Sequence, residues 1–199
     1  QLIERQIGIR ANEITCQVIE PVNGKETFEI EARDGVLVLK GSSTVAICYA
    51  FHTYLKEACH AMKTWSGEHI ELPEIWPDYI AKKQTTPYSY RYFLNVCTYG
   101  YTTPYWNWDR WEKEIDWMAL HGITMPLAIT GQEAVWYNTL KKFKMTDEEI
   151  RCFLVGPAFF AWQWMTNIEQ WGGPLPQEWI ERSVELGKKI LARERELGM

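Results

Sequence analysis

The 199-residue chain lacks any apolar run near the ~20 residues that span a bilayer. Its longest apolar stretches, around residues 45–51 and 122–129, are the size of core segments. It lacks a basic cluster: 21 Lys and Arg stand against 26 Asp and Glu, for a net charge of −5. That balance argues against a nucleic-acid surface and against anchoring on anionic lipid. It lacks a CxxC pair among Cys16, Cys48, Cys59, Cys97 and Cys152, so neither a zinc nor a redox motif is present. The odd cysteine count rules out complete pairing within one chain. Cys48 and Cys59 fall on one expected helix, too far apart along it to bond. Buried, reduced thiols are expected for most of the five. The chain has no GxSxG string, no phosphate-cradling glycine loop, no repeat and no low-complexity tract. Its four His (His52, His60, His69 and His121) have no metal-ligand spacing. The opening QLIERQIG lacks the pattern of a signal peptide: either none exists or it was removed before residue 1.

What the chain has in excess is aromatic, with 11 Trp and 10 Tyr. Trp106, Trp108, Trp111, Trp117, Trp136, Trp162, Trp164, Trp171 and Trp179 crowd the second half. Such rings join a flat apolar face to a polar tip. They suit sugars, whose C–H faces stack on rings while hydroxyls need donors and acceptors. A Trp-rich core is the competing reading for any single ring; for the whole set, some ring facing a ligand is expected.

Residues 1–80 read as a small α/β domain. A short strand is expected over residues 14–20. Phe28, Ile30 and Ala32 alternate on one face, as a half-buried strand does. Asp34-Gly35 marks a hairpin turn, because Gly accepts the positive φ that a tight turn requires. Residues 36–40 return as the second strand. Ser42, Ser43 and Thr44 supply capping oxygens for a helix over residues 45–62. Pro73, Pro77 and Pro87 make residues 71–87 an extended connector, and the domain boundary is set at 81–87. Residues 90–97 then read as a strand of the kind covered on both faces. A helix over 108–120 buries Trp108, Trp111, Ile115 and Met118, and Gly122 stops it. Residues 123–129 form the next strand, against the mild objection of Pro126. Thr146 to Glu149 is a capping box, and Pro176 opens the last helix. The strand–helix–strand order predicts a right-handed parallel crossover. The fold class is therefore α/β: a small α/β N-terminal domain, then the first β/α units of a (β/α)8 TIM-type barrel over 88–199. A whole barrel takes ~250 residues and eight strands, so the chain reads as part of a longer protein.

In parallel α/β folds, ligand groups gather at the C-terminal ends of strands. Two groups of residues fall there. Asn95 offers an amide, Cys97 a compact wall and Tyr101 a ring with a hydroxyl; strand-end capping and core packing remain open for the same residues. Gln132 and Glu133 set an amide beside a carboxylate, suited to gripping hydroxyls, with helix capping as the rival role for Glu133. Retaining glycoside hydrolysis needs two carboxylates ~5–5.5 Å apart, and no second carboxylate stands at another strand end. Asp109, Glu112, Glu114 and Asp116 read as a solvated helix face. His52 and His60 read as surface or satisfied core. A Cys97–His121 nucleophile–base pair has no support in spacing.

The strings YRYFLNVCTYGY (90–101), WNWDRWEKEIDWMALHGITMPLAITGQEAVW (106–136) and GPAFFAWQWMTN (156–167) are long, ordered and Trp-specific. They resemble the α-N-acetylglucosaminidases of glycoside hydrolase family 89, strongly over 88–199 and more loosely over 1–80. The resemblance implies removal of terminal α-linked N-acetylglucosamine with retained configuration. The two glutamates that do this chemistry lie on later barrel strands in the family, so no catalytic residue is expected here. It implies a sugar pocket that uses Asn95, Cys97, Tyr101 and Trp162, with Gln132 and Glu133 beside it. No cofactor or metal is implied. The expected partners are a glycan with terminal α-N-acetylglucosamine and the remainder of the same enzyme chain, with no nucleic acid and no membrane span. The expected compartment is secreted, periplasmic or lysosomal. Human-type members act on heparan sulfate and bacterial relatives on mucin-type glycans, and the sequence does not choose between them. Two rivals stand beside this reading: a non-catalytic carbohydrate-binding or interaction module, and a small α/β hydrolase with Cys97 as nucleophile.

Overall fold

A computed structural model describes residues 1–199. The chain forms two compact units: Gln1–Tyr92 with Lys113–Met125 and Glu194–Met199, and Phe93–Glu112 with Pro126–Arg193.

The first unit opens on a helix, α1 (Leu2–Ile7), and a 3-10 turn (Gly8–Glu13), which sequence periodicity did not reveal. Its sheet holds β1 (Ile14–Val18), β2 (Thr27–Arg33) and β3 (Val36–Gly41). β2 and β3 are antiparallel, with Arg33 opposite Val36, so Asp34 and Gly35 alone make the turn. Both take positive φ, 51° and 76°, the paired left-handed geometry of a tight hairpin. The inward residues Phe28, Ile30, Ala32, Leu37 and Leu39 are buried, as their alternation requires. They pack against the helix α2 (Thr44–Ala58), whose Ser43 cap accepts the Ala46 N–H at 3.0 Å. The helix is shorter than expected. His60 adopts φ 55°, a left-handed conformation that no helix continues. Met62 then joins β4 (Met62–Lys63), paired with β5 (Glu68–His69).

The expected connector contains a strand, β6 (Tyr79–Thr85), antiparallel to β2 at one edge of a sheet ordered β1-β3-β2-β6. Pro77 and Pro87 flank this segment and none lies within it, so every residue keeps its ladder donor. Lys82 pairs with Glu57 at 2.8 Å and Lys83 with Glu29 at 2.6 Å.

The expected solvated acidic face is also corrected. Glu114 and Asp116 are buried. Asp116 accepts two hydrogen bonds from the Arg5 guanidinium, at 2.7 and 2.8 Å, and one from Gln6. Glu114 accepts the Trp65 indole N–H at 3.0 Å. A charge leaves water only with such partners, and these arrive from residues more than 45 positions away. His52 is buried as well, its ring 4.5 Å from that of His121. Burial, then the neighbouring His121, lowers its pKa to about 4. Of the five free cysteines only Cys48 is fully buried; Cys16 and Cys152 are exposed, against expectation.

The barrel portion departs from expectation in strand length. The strand predicted over 90–97 is β7 (Tyr92–Phe93), and that over 123–129 is β8 (Met125–Pro126). They pair as a separate two-stranded sheet. Met125 N–H donates to Arg91 O and Leu127 N–H to Phe93 O, so donor and acceptor numbers climb together, the mark of parallel strands. Leu94, at φ 70°, turns the backbone out of β7. The helix α3 (Thr98–Tyr101) follows at once, and α4 (Trp108–Leu120) matches its predicted bounds.

In the second unit α5 (Gln132–Lys142), α6 (Asp147–Phe153), α7 (Phe160–Trp164) and α8 (Gln177–Leu197) follow. Ala134, Ile150, Leu154, Phe160, Leu175 and Ile180 form their shared core. The predicted capping box is present: Thr146 Oγ1 accepts the Glu149 N–H at 3.2 Å, and Glu149 Oε2 accepts the Thr146 N–H at 2.8 Å.

Candidate functional site

The six sequence-predicted residues all lie in the second unit, and they fall into two places. Four gather around α3 and α7. Asn95 Oδ1 accepts the Thr98 N–H at 3.0 Å and the Thr98 hydroxyl at 3.1 Å, which fixes the turn that leaves β7. Cys97 is half-buried at the head of α3, its carbonyl accepting the Gly100 and Tyr101 N–H groups. The capping role weighed for Asn95 is therefore real, and it holds the amide in one orientation.

Trp162 meets this turn from α7. The edge of its six-membered ring comes so close to Gly100 that a Cβ there would overlap a ring carbon. Only glycine allows that approach. The Tyr101 ring then meets Trp162 edge to face, centroids 4.8 Å apart at 87°. Tyr101 remains 77% exposed, so the pair presents an aromatic edge and a phenol to solvent. Gly100 is the residue that sequence reasoning missed; a glycine between two tyrosines on a helical turn was the available signal.

Gln132 and Glu133 sit elsewhere, in the first turn of α5. Gln132 is half-buried, and Glu133 is only 4% exposed. Glu133 lines a cavity of about 370 Å³ with Tyr99, Thr103, Trp111, Trp164 and Trp179. None of the other five predicted residues lines it. Burial raises the Glu133 pKa, against a smaller lowering by Ser183, its own backbone, Trp179 and Gly131. The Trp179 indole N–H, though near Glu133, makes no hydrogen bond of regular geometry. Glu133 is the sole acidic side chain on this wall, so the cavity offers one carboxyl and not the flanking pair that glycoside hydrolysis uses. No group of three or more His, Cys, Asp or Glu side chains is placed to hold a metal ion.

An exposed aromatic pair and an oriented amide thus follow β7, the first of two short parallel strands. Comparison with known proteins gives the family. The α-N-acetylglucosaminidase TIM-barrel domain model matches residues 91–199, and the N-terminal domain model of the same enzyme matches residues 1–78. The chain belongs to the α-N-acetylglucosaminidase family. It is 40% identical to human α-N-acetylglucosaminidase over 178 residues, which is 88% of this chain and 24% of the human protein. The family 89 glycoside hydrolase from Clostridium perfringens, in complex with PUGNAc, superposes with a TM-score of 0.95 at 37% identity, over 99% of this chain and 23% of that one. A form of the C. perfringens protein with two Glu→Gln substitutions, holding GlcNAc-α-1,4-galactose as its substrate, superposes with the same score and identity, over 100% of this chain and 23% of its own. The chain thus spans about a quarter of the length of these relatives. The likeness carries the fold: a small mixed α/β domain followed by part of a barrel whose sheets do not close.

Proposed function

We propose that this chain supplies part of the sugar pocket of a retaining exo-glycosidase that removes terminal α-linked N-acetylglucosamine from glycans. The observation that carries this is the Tyr101–Trp162 ring pair, clamped by Gly100 beside the oriented Asn95 and the half-buried Cys97. A pyranose ring stacks its C–H face on such rings while the phenol and amide bond its hydroxyl or acetamido groups. In this reading Gln132 and Glu133 stand apart from that pocket, in the first turn of α5. The catalytic glutamates belong to later strands of the longer enzyme chain. The substrate-bound relative, with two glutamates replaced by glutamine, supports such a pair. The reaction asks for no cofactor, and its place of work is secreted, periplasmic or lysosomal, outside the cytoplasm.

The test has two arms. Residues 1–199 alone are expected to show no turnover of an aryl α-N-acetylglucosaminide, whereas the full-length enzyme turns it over. In the full-length enzyme, Trp162→Ala removes a stacking face worth about 1 kcal/mol or more, so KM rises roughly five- to tenfold. Unchanged KM and kcat in that variant refute the pocket. Hydrolysis by residues 1–199 that vanishes with Glu133→Gln refutes the placement of the catalytic pair.

A further inference from the structure

The cavity around Glu133 differs in kind from the exposed Tyr101–Trp162 pair. Its volume of about 370 Å³ lies within the range of small-molecule sites. The rings of Tyr99, Trp111, Trp164 and Trp179 give it flat apolar walls. One donor stands among them unused. Thr103 is 3% exposed and its hydroxyl has no hydrogen-bond partner, while the Trp179 indole N–H faces the Glu133 carboxyl without regular hydrogen-bond geometry. Each unmade buried hydrogen bond costs about 1–3 kcal/mol. The Thr103 hydroxyl on the cavity wall is therefore suited to a polar guest.

Glu133 adds a carboxyl that burial pushes toward the neutral acid, a form that donates as well as accepts. Arg182 lines the same space and disfavours a cationic guest. The short helix α7 separates this cavity from the Tyr101 pair. Phe160 and Trp164, one turn apart, line the cavity, while Trp162 between them lies on Gly100. The two places share a helix but no lining side chain.

We propose that this cavity is a second binding site, taking one neutral hexopyranose unit. Its rings stack on the C–H face of the sugar, and Glu133, Thr103 and Trp179 bond its hydroxyls.

The experiment uses the full-length protein carrying Trp162→Ala, which weakens any binding at the Tyr101 pair. Galactose and glucose serve as probes, followed by saturation-transfer NMR. Saturable binding is expected in that background. Thr103→Val and Trp179→Phe each keep the shape of a side chain and remove one donor; each is expected to weaken binding roughly tenfold. Thr103→Val is also expected to raise the Tm of the sugar-free protein, since it removes an unsatisfied hydroxyl, and this shows that the variant folds. Two results overturn the proposal. One is absence of binding in the full-length protein, as when a later segment of the longer chain fills the cavity. The other is binding that neither Thr103→Val nor Trp179→Phe weakens.

Discussion

At the scale of single residues, the tightest constraint is Gly100. In the full-length enzyme, Gly100→Ala forces the Trp162 ring aside while altering no functional group. A misplaced stacking face is expected to raise KM roughly tenfold with the circular-dichroism spectrum unchanged; equal kinetic constants for both proteins contradict the clamp. Glu194 is the residue whose charge state the fold disturbs most plainly. It is 5% exposed, and burial raises its pKa to about 7 from 4.5. The folded state therefore holds a proton that the unfolded state releases, and the contribution of Glu194 to stability is full below pH 4.5 and fades as pH rises toward 7. His52 acts in the opposite sense: its pKa falls to about 4 from 6.5, so its contribution is present above pH 6.5 and is lost as pH falls toward 4. The Glu194 effect is thus read as a difference between wild type and Glu194→Gln in urea unfolding. That difference is expected to change by up to about 3 kcal/mol across the window, with the wild type losing ground as pH rises. Asp116 shows what no local reading reaches. Its burial depends on Arg5, 111 positions away, and nothing in the acidic helix pattern announces that partner.

At the scale of elements, what was legible had a local cause. The Asp34-Gly35 hairpin needs only its two turn residues, and α4 needs only its 3.6-residue period and its ends. The capping box of α6 is equally local, and Thr146→Ala is expected to cost about 1 kcal/mol of stability in urea titration. A Thr146→Ser variant that restores it separates the cap from side-chain bulk. The strands were less legible because a strand extends only as far as its neighbour. Residues 90–97 have the composition of a long parallel strand, yet Leu94 at positive φ ends the ladder and delivers Asn95 to its cap. β6 was mistaken for a connector because the prolines around it outweighed the segment they bound.

At the scale of the whole chain, the fold class was readable, and Asn95, Cys97 and Tyr101, named from a strand end, gather around α3 and α7 with Trp162, named from the family resemblance. The separation of Glu133 from them was not readable, since Gln132-Glu133 and Asn95-Cys97 both follow strands and only three dimensions part them. The first compact unit also includes Lys113–Met125, which the sequence places in the barrel portion.

Edge strand β6 carries a last consequence. Its outer rim is a row of open amides and carbonyls, guarded by lysines that already hold Glu57 and Glu29. Lys82→Val with Lys83→Val strips that guard and leaves a sticky β-branched ribbon, already bearing a bare Ile80. Light scattering of the double variant is expected to grow with time and concentration where the parent solution stays clear: the two ammonium groups act as gatekeepers against fibre-like stacking.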